Sequence, residues 1–358
     1  MSDGVVLDFA GGDVFDRLLS VGMDLGSLRP YQCRDGRVRA SLLTNEIDDN
    51  TGLRKRKEFI VNTTTTMTRD AWLLFDTQVI DAAKAKLMAW NRLRSVGTLT
   101  IPDGMAVTKL EQQRRGDITP AIISMDGLRQ GEADLPQYDD ISLPLPIIHK
   151  DADFSARDVA VSRRGGQPLD VTNIRLAGEM VAKAVEELLL GIRPVYRYAG
   201  SAVYGYTNFP SRLTKVITSP ALGGWTPAQA RTEIIAAIKQ LIAQFHGGPF
   251  DILYGLDWYQ YMQQAYSTLY DSETLVDVVR KLDKVGSVEM SDLLTGYQMV
   301  FTERNPATQR AVVGMDITTV QWESHGGMKK HYKVMAIMVP QLRADILGQT
   351  GILHANVA

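Results

Sequence analysis

The 358-residue sequence contains one cysteine, Cys33, so it cannot form an intrachain disulfide or a zinc site built from cysteine thiolates. Its longest strongly apolar runs, such as Val334–Pro340, are far shorter than the roughly 18 residues of a membrane-spanning helix. The charge is nearly balanced, with 39 Lys and Arg against 41 Asp and Glu. That balance excludes a protein whose whole surface binds nucleic-acid phosphates. No basic segment opens the chain, so no secretory signal is predicted.

Motifs of common enzyme sites are also missing. There is no Gly-x-x-x-x-Gly-Lys phosphate loop, no Gly-x-Gly-x-x-Gly turn and no Gly-x-Ser-x-Gly nucleophile elbow. Asp139-Asp140 favours a solvated turn over an acid/base pair, because adjacent side chains of an extended segment point apart. Gly165-Gly166 favours a flexible joint before a helix over an anion-binding cradle. We therefore expect no catalytic residue and no cofactor, and a soluble enzyme with an unrecognised site is the remote alternative.

The five histidines, at positions 149, 246, 325, 331 and 354, are scattered along the chain. His325 and His331 flank Gly326-Gly327, which predicts a hairpin loop between two strands. The only carboxylate close to them in sequence is Glu323. Solvated loop histidines are therefore favoured over a metal site, and no metal is expected.

Apolar periodicity predicts an α+β fold with three long helices. These cover about Asp70–Arg94, Asp170–Leu190 and Thr226–His246. The third has a capping-box pattern at its start and Phe245 among its inward-facing residues. Shorter helices are predicted at Asp257–Ser267 and Glu273–Val285. Strands are predicted at Thr98–Ile101, Ala106–Leu110, Pro120–Met125, Asp251–Leu256, Tyr297–Thr302, Ala311–Trp322 and Met328–Val339, followed by a short tail.

The segment from residue 98 to 140 has turns and few core residues, which predicts a long loop that needs a partner surface. Within it, Glu111–Asp117 is polar enough to lie in water. After it, Ile141–His149 contains Pro144 and Pro146, so it is predicted as an edge or extended segment.

Residues 1–69 have too little apolar surface for a core of their own and are interpreted as an arm that folds over another surface. The arm contains the basic run Arg54, Lys55, Arg56 and Lys57. Most such runs are simply solvated, and contact with nucleic acid or with an acidic edge of another subunit is the alternative. We expect the four residues on or near an inner face or at a subunit junction.

The order of these parts resembles the major capsid proteins of tailed bacteriophages, and within them the encapsulin-related branch of the Hong Kong 97-type (HK-97-like) capsid fold. The resemblance covers about residues 70–355 and rests on segment order and a diffuse pattern, with no invariant motif. The residues that carry it are Leu143–Lys150 leading into Asp153–Asp158, then Tyr204–Asn208, then the closing strands Asp316–Glu323 and Lys333–Val339.

The resemblance implies six parts: an N-terminal arm (1–69), a first helix of the peripheral domain (70–97), an extended β loop (98–140), a peripheral domain with a spine helix (141–191), an axial domain (192–305), and closing strands of both domains with a C-terminal tail (306–358). It implies a structural virion protein, assembled in the host cytoplasm, that forms capsomers and an icosahedral shell. Its partners would be further copies, packaged double-stranded DNA, and scaffolding, portal and decoration proteins, with no membrane. An encapsulin-type nanocompartment around protein cargo is the alternative, which the length of the arm disfavours.

The extended loop supplies the subunit-contact candidates Lys109, Arg114, Arg115 and Asp117. Some related capsids join a Lys of this loop covalently to an Asn of another subunit, and Lys109 is the only Lys between Lys86 and Lys150. A salt bridge is its simpler role, since no acceptor can be assigned. Because no long charged helical segment precedes the arm, we expect no N-terminal maturation cleavage and a separate scaffolding protein, if one is needed.

Overall fold

The computed structural model describes the chain at residues 6–7, 23–32, 38–47, 54–61, 79–83, 86–115, 123, 125, 138–157, 172–217, 225–266, 273–325, 328–345 and 348–357. The predicted sites at Cys33, Asp117 and Gly165-Gly166 lie outside the described residues, as does most of the predicted strand Pro120–Met125.

The described strands are β1 (Val6–Leu7), β2 (Met23–Gln32), β3 (Val38–Ile47), β4 (Arg54–Val61), β5 (Thr98–Thr100), β6 (Lys109–Arg115), β7 (Tyr138–Pro144), β8 (Ile148–Ser155), β9 (Tyr196–Tyr198), β10 (Ser201–Val203), β11 (Leu213–Ile217), β12 (Phe250–Tyr254), β13 (Val285–Met290), β14 (Met299–Glu303), β15 (Gln309–Ser324), β16 (Lys329–Leu342) and β17 (Ile352–Val357). The helices are α1 (Met88–Val96), α2 (Thr172–Leu190), α3 (Pro227–Ala243), α4 (Tyr259–Met262) and α5 (Leu275–Arg280), with a 3-10 turn at Leu256–Trp258.

One core lies between α1, α2 and a four-stranded sheet of order β5-β15-β16-β8. The apolar stripe predicted for the second long helix is confirmed where it is described, because the following residues of α2 are buried: Ile174, Ala177, Val181, Val185 and Leu188. Each fully buried Val, Ile or Leu contributes about 1.5–3 kcal/mol. This burial holds α2 against the sheet.

The first predicted helix is interrupted. Residues 79–83 are helical, and α1 begins only after Leu87, whose φ of −86° and ψ of 61° are not helical. The predicted apolar positions Val79, Ala83, Trp90 and Leu93 are nevertheless buried. The stripe therefore packs against the core on both sides of the break.

A second core lies between the five-stranded sheet of order β11-β17-β14-β12-β13 and the helices α3, α4 and α5. All five residues of β12 are buried, because the strand pairs on both sides and is covered by helices. The predicted capping box of α3 is confirmed, since Thr226 accepts from the backbone of Gln229 and the Gln229 side chain accepts from the backbone of Thr226.

The prediction for one residue at the end of the third helix is wrong. Phe245 does not face inward but is 90% exposed, because α3 ends at Ala243 and a positive φ of 64° turns the side chain away. The polar stretch Glu111–Asp117, which the structure describes as far as Arg115, forms β6 and pairs with β7, and its first residue, Glu111, is exposed.

Segment boundaries also differ. Ile141–His149 is divided between β7 and β8, and its edge character is confirmed because β8 is the outer strand of the four-stranded sheet. The helix predicted at Asp257–Ser267 ends at Met262, and Glu273–Val285 contains only α5 before β13 begins. The predicted tail contains β17, which pairs with β11 and β14 inside the second sheet.

Residues of the predicted arm form a four-stranded sheet of order β1-β4-β3-β2, which was not predicted. β2 and β3 pair antiparallel, as do β3 and β4, while β1 joins β4 in parallel. β2 lies beside β15 of the four-stranded core sheet. The pairing satisfies backbone hydrogen bonds that an isolated extended arm would leave to water.

Candidate assembly surfaces

The extended-loop candidates lie on a two-stranded antiparallel ribbon formed by β6 and β7. Its register runs from Lys109 opposite Pro144 to Arg115 opposite Tyr138, with Arg114 opposite Asp139. The described part of the predicted extended β loop thus contains β6 and the start of β7. The Lys109 ammonium donates to the carbonyl oxygen of Ala199 of the same chain at 2.8 Å.

The base of this ribbon is fixed to the body of the subunit. Leu143 and Leu145 are buried, and the Leu145 amide donates to the Thr108 carbonyl at 2.9 Å. The side chain of Ser142 hydrogen-bonds that of Ser201 on β10. These contacts hold the end near Lys109 and Pro144, while the strands lead away from it toward Arg115 and Tyr138.

Two grooves, which we name the Ile147 grooves, are both lined by the segment between β7 and β8. Their volumes are about 490 and 540 Å³, and Pro146, Ile147, His149 and Tyr196 line both. Ile147 and Tyr196 are 43% and 42% exposed, and Met180 of α2, in the first groove, is 49% exposed. Exposed apolar side chains that cluster around a groove are typical of interaction surfaces.

The charged side chains that line the Ile147 grooves are positive. Lys150, Arg193 and Lys333 line them, and no Asp or Glu of the described residues does so. A partner that is apolar with some negative charge would therefore complement these grooves.

The segment Tyr204–Asn208, which contributed to the family resemblance, closes the end of α2. The amides of Tyr206 and Thr207 donate to the carbonyls of Leu189 and Leu190 at 2.8 and 3.0 Å. The Asn208 side chain bridges the segment, accepting from Gly205 N at 2.7 Å and donating to Gly191 O at 3.1 Å. The last carbonyls of a helix have no partner within the helix, so this segment satisfies them.

Only glycine fits at position 205. A Cβ there would lie 2.3 Å from the nitrogen of Gly191 and 2.4 Å from the carbonyl oxygen of Leu188. The close approach joins the end of the long helix to the segment that leads into the second core.

A buried carboxylate, Glu186 of α2, holds the start of α1. Its two oxygens accept from the amides of Ala89 at 2.7 Å and Trp90 at 3.1 Å. Leu87 stands at the N-cap of α1 and makes no side-chain cap, so Glu186 takes that role from another helix. Burial raises the pKa of Glu186 to about 7, although these amide hydrogen bonds oppose the rise.

His325 is exposed at the end of β15, as expected for a solvated loop histidine. The same expectation is wrong for His331, which lies within β16 opposite Trp322 and whose side chain is only 14% exposed. The nearest carboxylate was misjudged. His331 Nδ1 hydrogen-bonds Asp153 of the neighbouring strand β8 at 2.5 Å, and its ring stacks on Trp322 with centroids 5.0 Å apart. Lys329 also pairs with Asp153 at 2.7 Å. Within the described ranges, no group of three or more His, Cys, Asp and Glu could hold a metal ion.

The basic run of the predicted arm lies on β4. In the backbone register, Arg54 is opposite Ile47, Arg56 opposite Leu43 and Lys57 opposite Leu42 of β3, with a register shift between Leu43 and Ile47. Its contact with nucleic acid or another subunit stays a prediction. Among the helices of the described part, none is long and apolar enough to cross a membrane.

Solved structures with the same fold include viral and virus-like shells. A virus-like particle protein from Pyrococcus furiosus aligns with a TM-score of 0.55 at 16% identity, over 79% of this chain and 98% of that one. The capsid of Myoviridae Phage XM1 aligns with a TM-score of 0.56 at 10% identity, over 74% of this chain and 90% of that one. The fold is the Hong Kong 97-type fold, which confirms the fold class predicted from the sequence.

Comparison of the sequence with known proteins also finds a shell protein. The Type 1 encapsulin shell protein EncA of Myxococcus xanthus (strain DK1622) is 24% identical over 264 residues, which are 73% of this chain and 85% of that protein. The printed names of these relatives describe a shell protein, a virus-like particle and a capsid. Residues 62–355 match the profile of a family described as "Family of unknown function (DUF6260)". The match extends over most of the chain, and the protein therefore belongs to the family of unknown function DUF6260.

Proposed function

We propose that many copies of this chain assemble into capsomers and then into a closed icosahedral shell, and that the chain is the major capsid protein of a tailed phage whose shell encloses double-stranded DNA. The observation that carries the proposal is the alignment of this backbone with 98% of a virus-like particle subunit and 90% of a phage capsid subunit. An alignment that nearly spans the other chain includes the parts with which such subunits meet.

The surfaces of the single chain support assembly. A two-stranded ribbon is marginally stable in water by itself, so a β6–β7 ribbon that leads away from its anchored base gains from a neighbouring surface. The Ile147 grooves expose apolar side chains that a neighbour would cover. Heterologous contacts of this kind close into rings, as capsomers require.

The six parts named from the sequence become assembly roles in this proposal. The arm is residues 1–69, the first peripheral helix 70–97, the extended loop 98–140, the peripheral domain with α2 as spine helix 141–191, the axial domain 192–305, and the closing strands 306–358. Lys109, Arg114, Arg115 and Asp117 belong to the extended loop and are the proposed subunit contacts. Lys109 acts there through its charge, because its ammonium already has an intrachain acceptor.

The arm is proposed to lie on the inner face or at a subunit junction. If Arg54, Lys55, Arg56 and Lys57 contact packaged DNA, each neutralises about one phosphate, and retention of the genome becomes sensitive to salt. Changing all four to Ser should leave shells that lose DNA at lower salt than the wild type. The matched control changes Arg175 and Lys183 to Ser, two exposed cations of α2. Unchanged assembly together with unchanged DNA retention in the four-residue variant would remove this role.

An encapsulin-type shell around protein cargo is the second candidate. The similarity to 85% of the length of an encapsulin shell protein favours it. Scaffolding, portal and decoration proteins would be partners of a phage capsid and not of an encapsulin-type shell.

The content of purified particles distinguishes the two candidates. Particles from the native source would be treated with nuclease, opened, and analysed for both nucleic acid and protein. The capsid proposal predicts nuclease-protected double-stranded DNA of genome length. Particles that hold a defined foreign protein and no protected DNA would establish the encapsulin alternative instead.

A further inference from the structure

Two arginines share one acceptor at the end of the β15–β16 sheet. The side chains of Arg310 and Arg343 both donate to Oε1 of Gln341, Arg310 through Nε and Arg343 through Nη2 at 3.3 Å. Gln341 is fully buried, and its amide nitrogen donates to Gln112 of the ribbon strand β6. The amide thus connects two like charges to the middle of the ribbon and neutralises neither.

These charges have no counter-ion within the described part of the chain. No ion pair there includes Arg310 or Arg343, and Nε of Arg343 is buried without a hydrogen-bond partner. Burial lowers the pKa of both guanidinium groups, and the charge of Arg310 lowers that of Arg343 further. Arginine nevertheless stays protonated in proteins. Two half-buried like charges without a carboxylate are unfavourable, because charges withdrawn from water are ordinarily paired.

An open groove reaches Arg343 of this pair, whereas Arg310 does not line it. The groove, which we name the Arg343 groove, has a volume of about 420 Å³, and Arg343, Gln341 and Gln112 line it together with Arg197. Asp140 also lines it but forms no ion pair with Arg310 or Arg343. There is therefore both space and uncompensated positive charge for an oxyanion, and arginine binds carboxylates with short, charge-assisted hydrogen bonds.

We propose that the Arg343 groove receives a carboxylate side chain from the acidic segment 116–137 of a second copy of this chain. The inference rests on the proposed function, which makes other copies the abundant neighbours. The segment has four acidic residues against one Arg, the acids being Asp117, Asp126, Glu132 and Asp134. It joins the two strands of the ribbon beyond Arg115 and Tyr138, at the end opposite the anchored base. Its negative charge complements the groove.

The first test separates assembly from subunit stability. Arg343→Gln removes one of two repelling charges, so the dissociated full-length subunit should unfold at the same or a higher urea concentration than the wild type. Shell formation should be weakened, with the critical concentration raised about tenfold to hundredfold, since a hydrogen bond to a charged group contributes about 1.5–3 kcal/mol. Arg231→Gln is the matched control, because Arg231 is another half-buried arginine with an unpartnered Nε, outside the groove. It should leave the critical concentration unchanged.

The second test identifies the source of the carboxylate. A neutralised segment carries the four changes Asp117→Asn, Asp126→Asn, Glu132→Gln and Asp134→Asn. It should raise the critical concentration as Arg343→Gln does, and combining both should raise it no further. Additive effects, or no effect of the neutralised segment, would overturn the proposal. So would equal destabilisation of the dissociated subunit by both variants, since that indicates a salt bridge within one chain.

Failure of this inference is distinguishable from failure of the proposed function. If wild-type chains form shells and Arg343→Gln chains form them at the same concentration, the groove inference is wrong and the shell proposal stands. If the wild type forms no shells under any condition, the proposed function is wrong and the inference falls with it.

Discussion

Replacing Glu186 by Gln tests how the two helices of the first core are held together. Burial raises the pKa of this carboxyl from 4.5 to about 7, and nearby Asp292 adds to the rise. A difference of that size corresponds to about 3 kcal/mol between the two protonation states. The folded chain therefore binds this proton more tightly than the unfolded chain does. The stabilisation is fully present below pH 4.5 and is lost as the pH rises through 7.

The glutamine variant should lack this dependence. In the wild type the amides of Ala89 and Trp90 donate to different oxygens of Glu186. Glutamine keeps one acceptor oxygen, as the protonated carboxyl keeps its carbonyl oxygen, and it has no charge to bury. At pH 8 Glu186→Gln should be more stable than the wild type by up to about 3 kcal/mol, and near pH 4.5 the two should agree within about 1 kcal/mol.

The assay is urea unfolding of the dissociated full-length subunit at intervals from pH 4.5 to 8, followed by tryptophan fluorescence. Subtracting the free energy of unfolding of the wild type from that of the variant at each pH cancels the contribution of every other titrating group. Glu179→Gln is the control on the same helix, where loss of a surface ion pair with Arg175 should cost at most about 1 kcal/mol. A difference for Glu186→Gln that stays constant across this range would refute the reasoning.

Three further predictions concern other parts of the chain. Burial and the charge of Arg212 lower the pKa of His354 to about 4. The stabilisation from the neutral imidazole is therefore present above pH 6.5 and is lost as the pH falls toward 4. In thermal unfolding, His354→Gln should lose less stability at acid pH than the wild type, and an equal loss of stability in both proteins would contradict this. Gly205→Ala should destabilise the subunit by about 3 kcal/mol in urea unfolding, because its Cβ would lie 2.3 Å from a backbone nitrogen, whereas Gly247→Ala, with nothing within 4 Å, should cost less than about 0.5 kcal/mol. Deleting Glu111–Gln137 should leave a soluble subunit, or at most capsomers, in sedimentation experiments, and normal particles from this deletion would remove the ribbon's role in assembly.

The long helices could be predicted because their periodicity is local. In α2, apolar residues recur at three- and four-residue steps, and burial against one sheet requires that pattern. The start of α3 was equally visible, since its capping box occupies four consecutive residues. The end of the same helix could not be predicted, because phenylalanine rarely has the positive φ that Phe245 adopts here.

The partnerships between distant segments could not be predicted. Glu186 reads as a surface residue of an amphipathic helix, and it is buried because α1, from 96 to 97 residues earlier, presents its free amides there. Asp153 reaches His331 only through the register of β8 with β16. β17 is a six-residue strand whose partners β11 and β14 lie far away in sequence. One signal was available: Tyr204–Asn208 was singled out from the sequence, and it closes α2.

Cryo-electron microscopy of the purified full-length protein would show whether this chain forms shells. We expect closed icosahedral particles whose walls are rings of this chain, with the β6–β7 ribbon of each copy lying on its neighbour. A protein that remains a monomer or small oligomer at every concentration and salt condition examined, or one whose ribbon contacts no other copy within a shell, would contradict it.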